Sequence, residues 1–143
     1  MRLQAVVFAI SLAWAAPLLA APLTSEEQAS AQTINLKIGE SAQARDEPAL
    51  RIGFAGVAAD SRCPKGAQCI WAGEATVRVW LQRGNEPKLT LELTSSSGSV
   101  KTLQVLDQEL SLLDLSPYPV AGKAPAEEDY TATLSLSRSS AAK

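Results

Sequence analysis

Apolar side chains recur at every second position through most of this chain, and that period rules out most folds before any residue is considered singly. TINLKIG (33–39) sets Ile34, Leu36 and Ile38 on one side, and ALRIGFAGV (49–57) does the same with Leu50, Ile52 and Phe54. EATVRVWLQRG (74–84) aligns Ala75, Val77, Val79 and Leu81, and KLTLEL (88–93) aligns Leu89, Leu91 and Leu93. YTATLSLSR (130–138) aligns Tyr130, Ala132, Leu134 and Leu136 and leaves threonines and serines for water. A strand points successive side chains to opposite faces, so this pattern gives strands with one buried and one wetted face, as in antiparallel sheet. RGNEP (83–87) and SSSGS (95–99) supply the glycine and asparagine that tight hairpin connections need. LQVLDQELSLLDL (103–115) is ambiguous: it reads as one helix or as two short strands. SPYPVAGKAPAEED (116–129) is the one long loop, kept extended by its prolines. The expectation is an all-β domain, a single antiparallel β-sandwich of about seven strands. An immunoglobulin-like arrangement is the nearest, though the cysteine spacing is not that of a true immunoglobulin domain.

The chain opens with one positive charge, Arg2, an apolar run and then small residues, ending LLAAPL. That is the layout of a secretory signal peptide, here residues 1–20. APLTSEEQASAQ (21–32) lacks apolar periodicity and reads as a flexible leader; the sandwich is expected over 33–138, with a frayed tail over 139–143. The apolar run is short for a membrane span, and no other run approaches that length. The expected location is therefore periplasmic or secreted. Fifteen acidic residues against thirteen basic ones give no electrostatic case for nucleic acid. The middle of the chain is mildly basic, which an ordinary solvated sheet face explains.

DSRCPKGAQCIWAGEA (60–75) holds both cysteines, Cys63 and Cys69. Five intervening residues do not fit a C-x-x-C redox site. Two thiolates do not close a metal site, and the chain contains no histidine to complete one. In an oxidising compartment the two cysteines are expected to bond to each other, with Pro64-Lys65-Gly66 making the turn. Trp71 is then expected to pack on the bridge, Gly73 to turn the chain into the strand near Glu74, and Asp60 and Ser61 to bond local backbone. The closed loop also has the general form of a protease-inhibitor loop, with Lys65 near its tip.

Together with LSPYP (115–119) and DYTATLSL (129–136), the 60–75 motif resembles a group of small exported bacterial proteins of uncharacterised function. The match is sharp over 60–75 and looser over 115–136. The resemblance implies an exported β-domain and brings no activity with it. Some of that group look like lipoproteins; this chain has no cysteine directly at the end of its apolar run, so the likeness is not expected to extend to a lipid anchor.

Absence of histidine removes Ser-His-Asp and Cys-His chemistry. Carboxylates remain for a hydrolase (Glu74, Glu92, Asp107, Glu109, Asp114), but nothing in the spacing sets two at a working distance. Glu127-Glu128-Asp129 lacks the spaced oxygens of a calcium loop and reads as a solvated charge run. Trp80 falls with Arg78 and Gln82 on the wet face. It is either a platform for a sugar or peptide or a residue covered by the Pro117-Tyr118-Pro119 segment. Tyr118 is a loop anchor or a ligand contact. The expected function is a non-catalytic binding or structural module, without cofactor or metal, facing an envelope protein or a saccharide through Lys65, Arg78, Trp80 or Tyr118. An inhibitor of an extracytoplasmic hydrolase is the alternative, and a carboxylate hydrolase the third.

Overall fold

A computed structural model of the protein describes residues 30–139. The expected signal peptide, the leader up to residue 29 and the last four residues lie outside the described residues. Nine strands form two antiparallel sheets. They are β1 (Gln32–Lys37), β2 (Ser41–Gln43), β3 (Leu50–Asp60), β4 (Glu74–Arg83), β5 (Leu89–Ser96), β6 (Ser99–Val100), β7 (Thr102–Val105), β8 (Gln108–Ser116) and β9 (Thr131–Arg138). Seven have four residues or more; β2 and β6 are the short additions to the expected count. One sheet runs β1-β9-β8-β7 and the other β2-β3-β4-β5-β6.

Only β1–β2 and β6–β7 connect one layer to the other, and each strand otherwise neighbours its successor. Gln32 of β1 stitches the seam beside β2: its amide oxygen accepts from Arg45 N at 2.7 Å and its amide nitrogen donates to Gln43 O at 3.4 Å. The sandwich is thus an up-and-down meander folded into two layers. What it shares with an immunoglobulin domain is the layered packing, not the Greek-key order.

The alternating residues meet between the layers. Leu50, Ile52 and Phe54 of β3, Val77, Val79 and Leu81 of β4, and Leu110, Leu112 and Leu134 of β8 and β9 are fully buried. Ile34, Leu36, Ala75, Leu93, Tyr130, Ala132 and Leu136 complete the core as expected. Burial fades along β5, where Leu89 is 41% exposed. β6 pairs only with Ser95 and Ser96, so β5 is itself the sheet edge at Leu89.

The ambiguous 103–115 stretch is a hairpin, β7 and β8, joined through Leu106 and Asp107 with φ of 49° and 61°. Both turn residues are left-handed, the conformation favoured in two-residue hairpin turns. Glycine or asparagine would have advertised it; leucine and aspartate do not. A bulge between Leu112 and Asp114 then shifts the alternation, so that Leu113 points to solvent and Leu115 returns to the core.

Candidate functional site

The β3–β4 hairpin continues past its last strand pair into the cysteine loop. Ser61 N donates to Glu74 O and Cys63 N to Ala72 O, both at 2.8 Å. The Ser61 hydroxyl brackets Glu74, donating to its carbonyl at 3.0 Å and accepting from its N–H at 3.1 Å. Gly73 has φ 72°, and a Cβ there would lie 1.8 Å from Ser61 O. No other residue type fits this crossing. Cys63 and Cys69 form the expected disulfide, Cα–Cα 5.9 Å.

One half of the loop is docked. Lys65 N donates to Pro119 O, and Ala121 N donates to Lys65 O, each at 2.9 Å. The other half faces water: Gly66 to Trp71 are all exposed, Ile70 completely and Trp71 to 67%. Trp71 therefore stays largely in solvent and is not buried against the bridge. The loop is held from its base and from the 117–121 side, which leaves the indole outside.

Beneath the loop lies a polar knot that joins the two sheets. Arg62 Nε and Nη2 donate to the two oxygens of Asp60 at 2.8 and 2.7 Å. Arg62 also donates to Pro117 O at 3.2 Å and, through Nη1, to Leu115 O, across the sandwich. Tyr130 OH donates to Asp60 Oδ2 at 3.0 Å. The Arg62 and Asp60 side chains are 9% and 10% exposed. Burial alone would raise the Asp60 pKa, but the hydrogen bonds and charge of Arg62, with the Tyr130 hydroxyl, outweigh it and hold the carboxyl below its usual range. Burial likewise lowers Arg62, and its bonds to Asp60 more than reverse this, so it is held charged. Burial and then the Asp60 bond push Tyr130 up.

Sequence reasoning placed Asp60 as a local turn-former, Tyr130 as core and Arg62 nowhere. The available signal was Tyr130 itself, a buried tyrosine whose hydroxyl requires a partner. Tyr118 packs on this knot, with the Arg62 guanidinium 4.8 Å and the Lys65 ammonium 5.6 Å from its ring centroid. Lys65 and Tyr118 thus meet at one end of the sandwich.

Trp80 and Arg78 lie on the outer face of the five-stranded sheet. Gly53 pairs with Trp80, and a Cβ at Gly53 would fall 2.1 Å from the indole. The ring therefore lies on the bare Gly53 backbone. The Lys88 ammonium sits 4.0 Å from its centroid, so Lys88 covers it rather than the Pro117–Pro119 segment. Arg78 pairs with Glu92 at 3.5 Å in an exposed position.

The other carboxylates are scattered. Glu109 lies near the start of β8 and Asp114 near its end, and Glu92 is paired on the sheet face. Among the described residues no group of three or more cysteine, aspartate or glutamate side chains is placed to hold a metal ion. No helix among them is long and apolar enough to cross a membrane. Comparison with protein-family models, with curated proteins and with solved structures finds no match to this chain.

Proposed function

We propose that the protein is an exported, non-catalytic binding module that engages a partner protein of the cell envelope through the solvent-facing half of its disulfide loop, Gly66–Trp71. One observation carries the reading: two large apolar side chains, Ile70 and Trp71, stand consecutively in solvent on a loop whose other half is fixed. Isolated exposed apolar residues are ordinary, but an exposed tryptophan beside an exposed isoleucine on a covalently closed loop is a ready anchor. Burying both against a partner is worth about 3–6 kcal/mol before association costs. The disulfide and the backbone bonds of Cys63 and Lys65 meet the ordering cost in advance.

The inhibitor reading rests on Lys65, and the geometry favours it less. The Lys65 backbone N–H and C=O are already bonded to 119 and 121, so an attacking enzyme would find no free strand there. Export and the likeness to other small exported proteins support the envelope as the place of action.

The test is capture from envelope extract by the mature protein beside an Ile70→Ser, Trp71→Ser variant of unchanged melting temperature. A partner held by the first and released at least tenfold more readily by the second is expected. Equal capture by both would overturn the assignment of the loop.

A further inference from the structure

A second feature of the same end of the sandwich is independent of the Ile70–Trp71 loop. The β5–β6 turn, Ser96 to Ser99, overhangs the β8 bulge and leaves a half-open cavity of about 300 Å³. That is the small end of the range for ligand sites, room for one ring rather than a chain.

Its lining is unusual in kind. Ser95, Ser96, Ser97 and Ser99 line it together with the aliphatic Val100 and Leu113, and Asp114 adds a carboxylate that makes no ion pair among the described residues. Arg62, nine-tenths buried, lines it from the sandwich interior. Four of its five N–H groups are accounted for by Asp60, Leu115 and Pro117, which leaves one on Nη1. Tyr118 adds an aromatic edge.

The bulge is what makes the site. An unbroken β8 would alternate 112 in, 113 out, 114 in; the extra residue turns both Leu113 and Asp114 outward.

We infer that this cavity binds a single pyranose ring of a neutral saccharide. Serine side chains, one carboxylate able to accept two sugar hydroxyls, a guanidinium with one uncommitted N–H, and aliphatic side chains with an aromatic edge match a ring that carries hydroxyls on a carbon frame. An anion would meet Asp114, and the Arg62 charge is already neutralised by Asp60. A purely apolar ligand would desolvate the Asp114 carboxylate and the uncommitted Arg62 N–H without giving either a partner.

The experiment is amide-resonance titration of the mature protein with glucose, galactose, mannose and N-acetylglucosamine, each to high millimolar concentration. Inorganic phosphate serves as a control. The expected result is a saturable shift of the Ser95–Ser99 and Asp114 resonances with at least one sugar and none with phosphate. Asp114→Ala, at an exposed position outside the core, should keep the melting temperature and weaken the sugar about tenfold or more, the loss of a charge-assisted bond pair. Ser97→Ala should weaken it less. No saturable shift with any sugar, an equal response to phosphate, or full affinity in Asp114→Ala would overturn the inference. None of these outcomes depends on Ile70 or Trp71.

Discussion

Asp60→Ala is the substitution from which the knot predicts most. It leaves the Arg62 guanidinium, 9% exposed, without its counterion, and it removes the acceptor of the Tyr130 hydroxyl. Two bonds from the guanidinium and two from neutral donors, the Arg62 backbone N–H and the Tyr130 hydroxyl, disappear together. Breaking a buried pair by deleting one member costs about 3–5 kcal/mol, because the surviving charge stays desolvated. Arg62 keeps two backbone carbonyls, which moderates the loss to about 3 kcal/mol. For a domain of this size that corresponds to a fall in melting temperature of about 10–15 °C. The measurement is thermal and urea unfolding of residues 21–143, with Arg62→Met and the double variant completing a cycle. Once Asp60 is gone, replacing Arg62 removes the orphaned charge. The double variant should therefore be more stable than the sum of the single losses by at least about 1 kcal/mol. A loss under about 1 kcal/mol for Asp60→Ala, or strict additivity in the cycle, would refute the reasoning that this pair ties the layers together.

Four other perturbations have expected outcomes. Because the Asp60 pKa is lowered in the folded state, its stabilisation is fully present above its unfolded value near 3.8 and is lost as pH falls through the folded value. Acid unfolding curves of the wild type should be steeper below pH 4 than those of Asp60→Asn. Conversely, the raised Tyr130 should make Tyr130→Phe less sensitive than wild type above pH 10. Replacing Cys63 and Cys69 by serine should cost about 2 kcal/mol in urea unfolding, the loop-closure entropy of so short a ring, and thiol titration of the wild type purified without reductant should find no free thiol. Gly53→Ala should destabilise by about 1–3 kcal/mol because its Cβ would strike the Trp80 ring; adding Trp80→Ala should recover part of that loss, and full additivity would remove the contact from the account.

What alternation could reveal, it revealed. The inward faces of β1, β3, β4 and β9 follow from side-chain period alone, since the face buried between these layers is almost entirely apolar. The disulfide followed from the expected oxidising compartment and the count of two cysteines. The meander order did not, because strand neighbours depend on which edges meet, and Gln32 records that seam with an ordinary polar side chain. The β7–β8 turn was hidden by Leu106 and Asp107, which adopt left-handed angles without being the residues that favour them.

At the candidate site the limits were of another kind. Trp80 took the covered one of its two expected roles, though under Lys88, while Trp71 stands largely in solvent. Alternation correctly put Trp80 on the outer face but could not show that Gly53 and Lys88 enclose it. Trp71 looked like a cover for the bridge because it follows Cys69 closely, yet proximity in sequence says nothing about direction in a loop. Arg62 acts on carbonyls more than fifty residues away, a relation no local pattern carries.

The most direct measurement places a photoreactive phenylalanine analogue at position 71 in cells producing the full chain, with positions 80 and 103 as controls. The account predicts a discrete cross-linked protein adduct from position 71 and none from 80 or 103. No adduct at 71, or the same adducts from all three positions, would contradict the claim that the Ile70–Trp71 end of the loop is where this module meets its partner.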